Sequence, residues 1–551
     1  MLPERTQVLI VGGGPCGLML ANELGRRGAQ AVLVDDKPST AFNPQANATQ
    51  ARTMEHYRRL GFADEVRSLG LPPDYPTDIA YFTRFATFEL ARFSLPSARE
   101  ARSRVASLSG SWSTAELPHR VSQKFVEALL RQHAEAHPGI SLHYGFRLTA
   151  FVQDGTHVTA DVEPVDGGRP QRIEADYLVG ADGPRSLVRR LLGLQYVGEA
   201  GVVRDFMGGR MFALYVRARS FYEIVRHPPA WMHFTFNRDR RAFMASVDGR
   251  GEFAFHTQLR AHEDDTAITD AAARAMFEAA VGAPVPDAEI LSRQSWTAGY
   301  ALVAERLQAG RVFLGGDAAH LFTPTGGLGY NTAVEDAVNL GWKLAATLRG
   351  CAGPGLLASY EAERRPVAIR NTSYARDFAE SLGSREAEPE LEDDTPEGAA
   401  ARRRAGEWLN AHARAEFNIP GITFGARYDG SPVIIPDGSV PPTDAPNEYV
   451  PTACPGGRAP HLWLPDGRSL FDAFGFEWTL LRLRPAACPG QALIDAASRL
   501  GLDLTVVDAP EARDLYEADL ALIRPDQVVA WRGATDTDAA TVLPRALGHL
   551  V

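Results

Sequence analysis

Hydrophobic and polar positions along this chain change period several times, and each change marks an element. Residues 7–11, Gln-Val-Leu-Ile-Val, form a nearly continuous apolar, β-branched run that enters a glycine turn, the pattern of a strand buried on both faces. Leu18, Leu20, Ala21 and Leu24 then recur at helical spacing, Gly25 and Gly28 bring the chain out, and residues 31–34 return to an apolar strand. Residues 7–34 therefore predict a strand–helix–strand unit. Two further strands, near 173–180 and at 312–314, end at glycines. Val334, Ala337, Val338, Leu340, Trp342 and Leu344 line an amphipathic helix. Residues 211–216 and 231–236 alternate as in an antiparallel sheet. In the last quarter, 478–483 and 504–507 read as strands around a helix at 490–500, and no internal repeat is visible.

Length and composition narrow the picture. At 551 residues the chain exceeds one core and predicts two or three domains. Its 45% hydrophobic and 23% charged content is that of a globular protein, and a net charge of −11 argues against general nucleic-acid binding. The segment 1–7 leaves no room for a signal peptide, and no apolar run reaches the ~18–20 residues of a membrane span, so a cytoplasmic protein is expected. Cys16, Cys351, Cys454 and Cys488 lack CxxC or metal-ligand spacing and are expected as free thiols, with no metal site.

The glycine turn is where chemistry begins. Gly12-x-Gly14-x-x-Gly17, with Pro15 and Cys16 inside it, has the spacing that allows a tight turn, close approach to a pyrophosphate and close helix–strand packing. The helix start would add N–H groups and positive dipole for phosphates. Asp36, followed by Lys37, stands where an acid would accept from ribose hydroxyls. This unit predicts dinucleotide binding but does not separate FAD from NAD. Two later segments do. The strand near 173–180 ends in Gly180-Ala181-Asp182-Gly183, and the strand at 312–314 ends in Gly315-Gly316-Asp317-Ala318-Ala319-His320. A carboxylate at a strand's carboxyl end can accept from a polyol, and the ribityl chain of a flavin is one. Pro324, Gly327, Leu328, Gly329 and Asn331 then open a helix whose bare N–H groups would face the flavin pyrimidine ring.

Together GGGPCG, ARTMEHYRRLG at 51–61, DGPRSLVR at 182–189 and GDAAHLFTPTGGLGYNTAVEDAVNLGWKLA resemble the group A FAD-dependent aromatic hydroxylases, the p-hydroxybenzoate hydroxylase and phenol hydroxylase family. The resemblance implies an α/β fold: a Rossmann-like FAD-binding domain of the p-hydroxybenzoate hydroxylase type, an antiparallel-sheet substrate domain, and a thioredoxin-like C-terminal domain without CxxC. The corresponding boundaries are 1–75, 105–200 and 300–375 for the FAD domain and 76–104 with 201–299 for the sheet. Residues 376–414 would be helix and linker, with 384–405 an exposed charged connection, and 415–551 the C-terminal domain. By the same resemblance Asp36 would hold the adenosine ribose and Asp317 the ribityl chain. Gln123 would reach the cofactor, and Gly327 to Asn331 would lie along the isoalloxazine. Many relatives carry arginine where this chain has Gln45, which leaves FAD binding secure and puts that arginine's contact in doubt.

The implied reaction is hydroxylation of a phenolic or polycyclic aromatic compound, with NADPH or NADH as transient electron donor and O2 adding to the flavin as a C4a-hydroperoxide. Water must be kept from that site. Asn47, His233 and Pro324 are the candidates on the substrate or peroxide side. Asn47 stands where some relatives place an acid or histidine, so it can orient a hydroxyl but not ionise it. His119 is a weaker candidate of the same type, and His320 is expected to be structural. A homodimer is common among relatives. Baeyer–Villiger or epoxidising oxygen insertion on the same scaffold, and an inactive flavin-binding partner protein, are the alternatives.

Overall fold

The computed structural model describes residues 2–200 and 206–549. Residues 201–205 of the expected sheet segment 201–299, and 550–551 of the expected C-terminal domain, lie outside the described residues.

The predicted strand–helix–strand unit is present as Arg5–Val11, Pro15–Arg26 and Ala31–Asp35. Arg5–Val11 is the middle of a parallel array, flanked by Ala31–Asp35 and Gln171–Gly180, with Ile140–Tyr144 and Val312–Leu314 beyond them. Residues 8–11 and the strands Ala31–Asp35 and Val312–Leu314 are buried on both faces, as parallel strands between helices must be, while the edge strand Ile140–Tyr144 is only half-buried. The helices Pro15–Arg26 and Leu328–Leu348 cross closely because Gly341 has no side chain: a Cβ there would stand 2.5 Å from Cβ of Glu23. The carboxyl ends of Arg5–Val11, Gln171–Gly180 and Val312–Leu314 thus open on one side of the sheet.

A second sheet of seven strands runs in the order Glu289–Ala298, Gly209–Arg217, Glu252–Gln258, Ala242–Ser246, Met232–Thr235, Ile79–Phe82 and Glu89–Phe93. Alternation splits its side chains between two environments. Phe212, Leu214, Val216, Met244, Phe253 and Phe255 pack with Phe277 of the helix Asp270–Val281. Met211, Phe234, Phe243 and Trp296 face the other way, into a cluster shared with Ala48, Tyr81 and Trp231.

The segment 384–405, expected as an exposed connection, instead enters a helix, Pro396–Phe417, capped by the Thr395 hydroxyl. Ala401, Ala405, Leu409 and Ala413 recur every fourth residue and are buried against the second face of the seven-stranded sheet, while the arginines between them cover the outside. The C-terminal part carries a four-stranded sheet in the order Leu504–Asp508, Trp478–Arg482, Leu520–Ile523 and Val529–Gly533. Its first pair is parallel and the other two antiparallel, with helices Gln491–Arg499 and Ala539–Ala546 alongside, which is the thioredoxin-like arrangement. Buried ion pairs fasten it to the rest: Arg458 Nε donates to Glu55 at 2.9 Å and Arg524 Nη1 to Glu363 at 2.7 Å.

Candidate functional site

The glycine loop is built as its spacing demands. Gly12 has φ of +116°, and a Cβ on it would collide with the carbonyl of Ala181 at 2.1 Å; one on Gly17 would strike the carbonyl of Gly12 at 1.9 Å. Gly14 is different: nothing lies within 4 Å of where its Cβ would be. It stands at the start of the helix Pro15–Arg26, which has no side-chain cap and no acidic residue in its first turn. Open space in front of uncapped N–H groups is what a pyrophosphate requires.

The acid that addresses this loop is Asp35, not Asp36. Asp35 ends the strand Ala31–Asp35, is buried, and accepts from the backbone N–H of Gly13 at 2.6 Å and of Lys37 at 2.7 Å. Asp36 lies beyond the strand and is exposed, as is Lys37. The last strand residue faces the loop, so alternation turns the next one to solvent.

On the other side, Gly315 and Gly316 pass directly over the glycine loop: a Cβ on Gly315 would stand 2.9 Å from Sγ of Cys16, and Gly316 has φ of +59°. Cys16 is therefore a packing contact between the two segments, and burial pushes its thiol well above the ordinary range, Asp336 and Asp317 adding to the effect. Asp317 follows. It is exposed, and its side chain has no hydrogen-bond partner among the described residues. Surrounding protein nonetheless desolvates it and raises its carboxyl, with His320 and Lys37 pulling the other way. Asp182, by contrast, is spent within the chain. It accepts from Ser186 Oγ at 2.5 Å and from the N–H groups of Leu187 at 2.7 Å and Val188 at 3.1 Å, capping the helix Leu187–Leu191.

The loop before the helix Leu328–Leu348 is held from beneath. Gly326 and Gly327 have φ of +67° and +64°. Gln50 donates to the carbonyl of Gly326 at 3.0 Å, and the buried Glu416 accepts from its N–H at 3.0 Å. Asn331 accepts from Gln50 N–H at 2.8 Å and from Thr53 at 2.7 Å, and donates to Ala48 O at 2.9 Å. The buried side chain of Asn331 thus ties residues 48–53 to the helix start. The Leu328 side chain is buried beside Phe378 and Ile422, and Gly329 packs on Phe322. The helix has no side-chain cap, and Pro324 stands exposed ahead of it.

Gln45 and Gln123 meet: Gln123 Nε2 lies 3.5 Å from Gln45 Oε1 and donates to Glu127 at 2.6 Å, and its N–H donates to Ala46 O at 2.7 Å. Asn47 Nδ2 reaches the carbonyl of Gln45 at 3.4 Å, and its Oδ1 has no partner among the described residues. His233 is not on the cleft side. Its ring lies between Phe82, Phe85 and Phe221 on the helix-covered face of the seven-stranded sheet, and burial pushes it down to about 3. One position along the strand decides this, because Met232 and Phe234 take the opposite face. His119 is likewise buried and lowered to about 3 by burial, beside the carbonyls of Leu69 and Val66. His320 is fully buried, Nε2 at 2.6 Å from Asp336, which also receives Gly316 N–H at 3.1 Å and Arg364 Nε at 2.8 Å. It supports the loop from behind.

Three groups on the cleft-facing cluster escaped the sequence reading. His256 stacks on Phe243 at 4.5 Å, and its Nδ1 accepts from Trp296 Nε1 at 3.2 Å, so the neutral ring carries its proton on Nε2. Burial lowers it to about 4. Arg120, on the two-residue strand His119–Arg120, lies over the Trp231 ring at 4.4 Å. Glu416 pairs with His412 at 3.0 Å under the Gly326 turn. None falls in a motif. A parity count along the strand at 252–258 would have put His256 opposite Phe255, which is the one signal the sequence holds.

Residues 5–375 match the model of the FAD binding domain family, and 452–551 that of the aromatic-ring hydroxylase C-terminal domain. An FAD-dependent monooxygenase of Emericella nidulans is 31% identical over 98% of this chain and 90% of its own length. Phenol 2-monooxygenase of a Pseudomonas strain is 30% identical over 96% of this chain and 90% of its own. Among solved structures, the rebeccamycin biosynthetic enzyme RebC with reduced flavin superposes with a TM-score of 0.88 at 33% identity, covering 100% of both chains. Aklavinone-11 hydroxylase in complex with FAD and aklavinone superposes with a TM-score of 0.81 at 28% identity, over 99% of this chain and 100% of that one.

Proposed function

The chain belongs to the FAD-dependent aromatic-ring hydroxylases and is a flavoprotein monooxygenase, and from that premise we propose that it hydroxylates a phenolic or polycyclic aromatic compound, taking electrons from NAD(P)H and oxygen from O2. Relatives whose names state an activity are hydroxylases and monooxygenases, which favours hydroxylation over Baeyer–Villiger or epoxidising insertion.

The observation that carries the reading is Asp317: a carboxylate without an internal partner, at the end of the strand Val312–Leu314, joined through Gly315 to the glycine loop at Cys16. Bound FAD supplies electron transfer and oxygen activation. We assign the rest to the chain's own groups. Gly14 and the helix start behind it receive the pyrophosphate, Asp35 the adenosine ribose, and Asp317 the ribityl hydroxyls. The N–H groups from Gly327 to Gly329 face the pyrimidine end, where helix polarity favours the negative charge of the reduced ring. Gln45, Gln123 and Pro324 border it.

The substrate enters between the residues 45–48 and the aromatic face of the seven-stranded sheet. Phe234, Phe243 and Trp296 exclude water there. The Nε2 proton of His256 is donated to a substrate oxygen, whereas Asn47 Oδ1, the expected hydroxyl acceptor, is sealed from accessible space and borders the entry without taking that role. His256 is not a base at neutral pH, so it orients the substrate oxygen rather than ionising it. In this partition residues 1–75, 105–200 and 300–375 hold the cofactor, 76–104 and 201–299 roof the substrate, and 415–551 closes the outer side.

The test is NADPH and NADH oxidation by the FAD-loaded chain against a panel of simple phenols and polycyclic hydroxyquinones. At least one aromatic should accelerate oxidation well above the rate without substrate. A uniform, substrate-independent rate across the panel would contradict the reading.

A further inference from the structure

Arg120 is 6% exposed, and among the described residues it makes no hydrogen bond and no ion pair. Its side chain meets the Trp231 ring, 4.4 Å from the guanidinium carbon. Among the described residues no carboxylate pairs with it, and burial lowers it to about 10. The other buried arginines have hydrogen-bonding partners, Arg364 with Asp336, Arg458 with Glu55, Arg524 with Glu363, and Arg189 with the carbonyls of Ala318 and Pro184. A buried cation without an anion is costly, and folded chains retain one where a guest completes it.

The position of Arg120 says which guest. Its strand pairs with Ala48–Thr49, directly after Asn47, with Ala48 opposite Arg120. A Cβ on Gly327 would stand 2.9 Å from that of Ala48, so the same strand pair borders the start of the helix Leu328–Leu348. Trp231, under the guanidinium, belongs to the cluster of Ala48, Met211, Tyr81 and Phe234 on the cleft side of the sheet. None of the guanidinium nitrogens is sealed off from accessible space, although the side chain as a whole is buried. A planar cation backed by an indole, with five donors and no acceptor, selects a flat anionic oxygen group.

We propose that Arg120 is a specificity-determining residue that receives an anionic oxygen of the aromatic substrate, a ring carboxylate or an ionised phenol. This rests on the reading of the cleft as the substrate site. Proximity of the guanidinium would favour the ionised form of a phenol, which Asn47 cannot do.

The test is a titration of the full-length, FAD-loaded chain at about pH 7.5, where a naphthoic acid is ionised and a simple naphthol is not. The probes are 1-hydroxy-2-naphthoate and 1-naphthol, followed through perturbation of the flavin absorbance, in the native chain and in Arg120→Met and Arg120→Lys. Two results support the proposal. In one, the naphthoate binds at least ~10-fold more tightly than the naphthol, as a charge-assisted pair requires. In the other, the naphthol binds with the ultraviolet spectrum of its anion. In either case Arg120→Met abolishes the effect and Arg120→Lys keeps part of it. Neutral naphthol binding as tightly as the naphthoate, an effect unchanged in Arg120→Met, or no binding of either probe overturns it. FAD content and melting temperature show whether a variant has kept its fold; if Arg120→Met has not, the native preference and Arg120→Lys still decide. Oxidation of NAD(P)H stimulated by neutral phenols would leave the monooxygenase reading standing while the Arg120 proposal falls.

Discussion

Cys16 and Gly315 hold the two halves of the cofactor cleft together: there is room for the sulfur only because Gly315 has no side chain, a Cβ there falling 2.9 Å from Sγ. One residue belongs to the glycine loop and the other follows the strand Val312–Leu314, so their contact sets the distance between the two segments proposed to hold pyrophosphate and ribityl chain. Gly315→Ala should lower stability by about 1–3 kcal/mol, the cost of overpacking, and weaken FAD binding with it. Cys16→Ala on that background should restore part of both. Thermal melts and FAD fluorescence titrations of the single and double variants check this, and strict additivity would contradict it.

Asp317 separates cofactor binding from folding. The surrounding protein desolvates its carboxyl and raises it, so the ionised group lends the FAD-free chain no stability at neutral pH. Asp317→Ala should therefore leave the melting temperature of the FAD-free chain equal or higher. It should weaken FAD binding by roughly 10- to 100-fold, the worth of a hydrogen bond to a charged group. A variant that lost both fold and FAD would mean the side chain has a structural partner.

The attachment of the C-terminal part is pH-dependent through Glu55. Burial alone would raise its carboxyl, but Arg458 and Arg52 outweigh it and bring it from 4.5 down to about 2. A depressed carboxyl stabilises above its unfolded value and loses that contribution as pH falls through the folded one. Stability should accordingly drop between about pH 4.5 and 2. Glu55→Gln, which leaves Arg458 buried and uncompensated, should cost about 3–5 kcal/mol at neutral pH and lose the acid dependence. Melting temperatures across that range report both effects.

His256 should act as a hydrogen-bond donor and not as a base. Its Nδ1 is occupied by Trp296 and its neutral form persists down to about 4. His256→Phe keeps the stacking on Phe243 and removes the proton. It should raise KM, or release more uncoupled peroxide per NAD(P)H, without introducing or removing an ionisation near neutrality in the pH profile. Loss of an ionisation near pH 6–7 in that variant would make His256 the proton acceptor.

The glycine framework of the proposed cofactor site was legible in the sequence because close backbone approach demands glycine. Gly12, Gly17 and Gly315 stand where no Cβ fits, Gly316 has a positive φ, and Asp317 lies in the turn after the strand Val312–Leu314. Asp36 was one residue off, since the end of an apolar run does not say which side the last acid faces, and the structure turns Asp35 inward. His233 failed for the same reason of parity. The helix Pro396–Phe417 was hidden because its buried stripe is mostly alanine among arginines. Arg120 left no signal in the sequence, being distinguished by a partner it lacks, and strand parity could place His256 on its face but not show the tryptophan forty residues away that fixes its ring.

The most direct measurement of the central claim is the fate of oxygen. The FAD-loaded chain, NADPH and an aromatic that stimulates its oxidation are incubated under heavy-isotope O2, and the product is analysed by mass spectrometry. The account predicts a phenolic product carrying one heavy oxygen atom on the ring. Stimulated NADPH oxidation that yields only peroxide, a ring-expanded ester, or product oxygen drawn from water would contradict it.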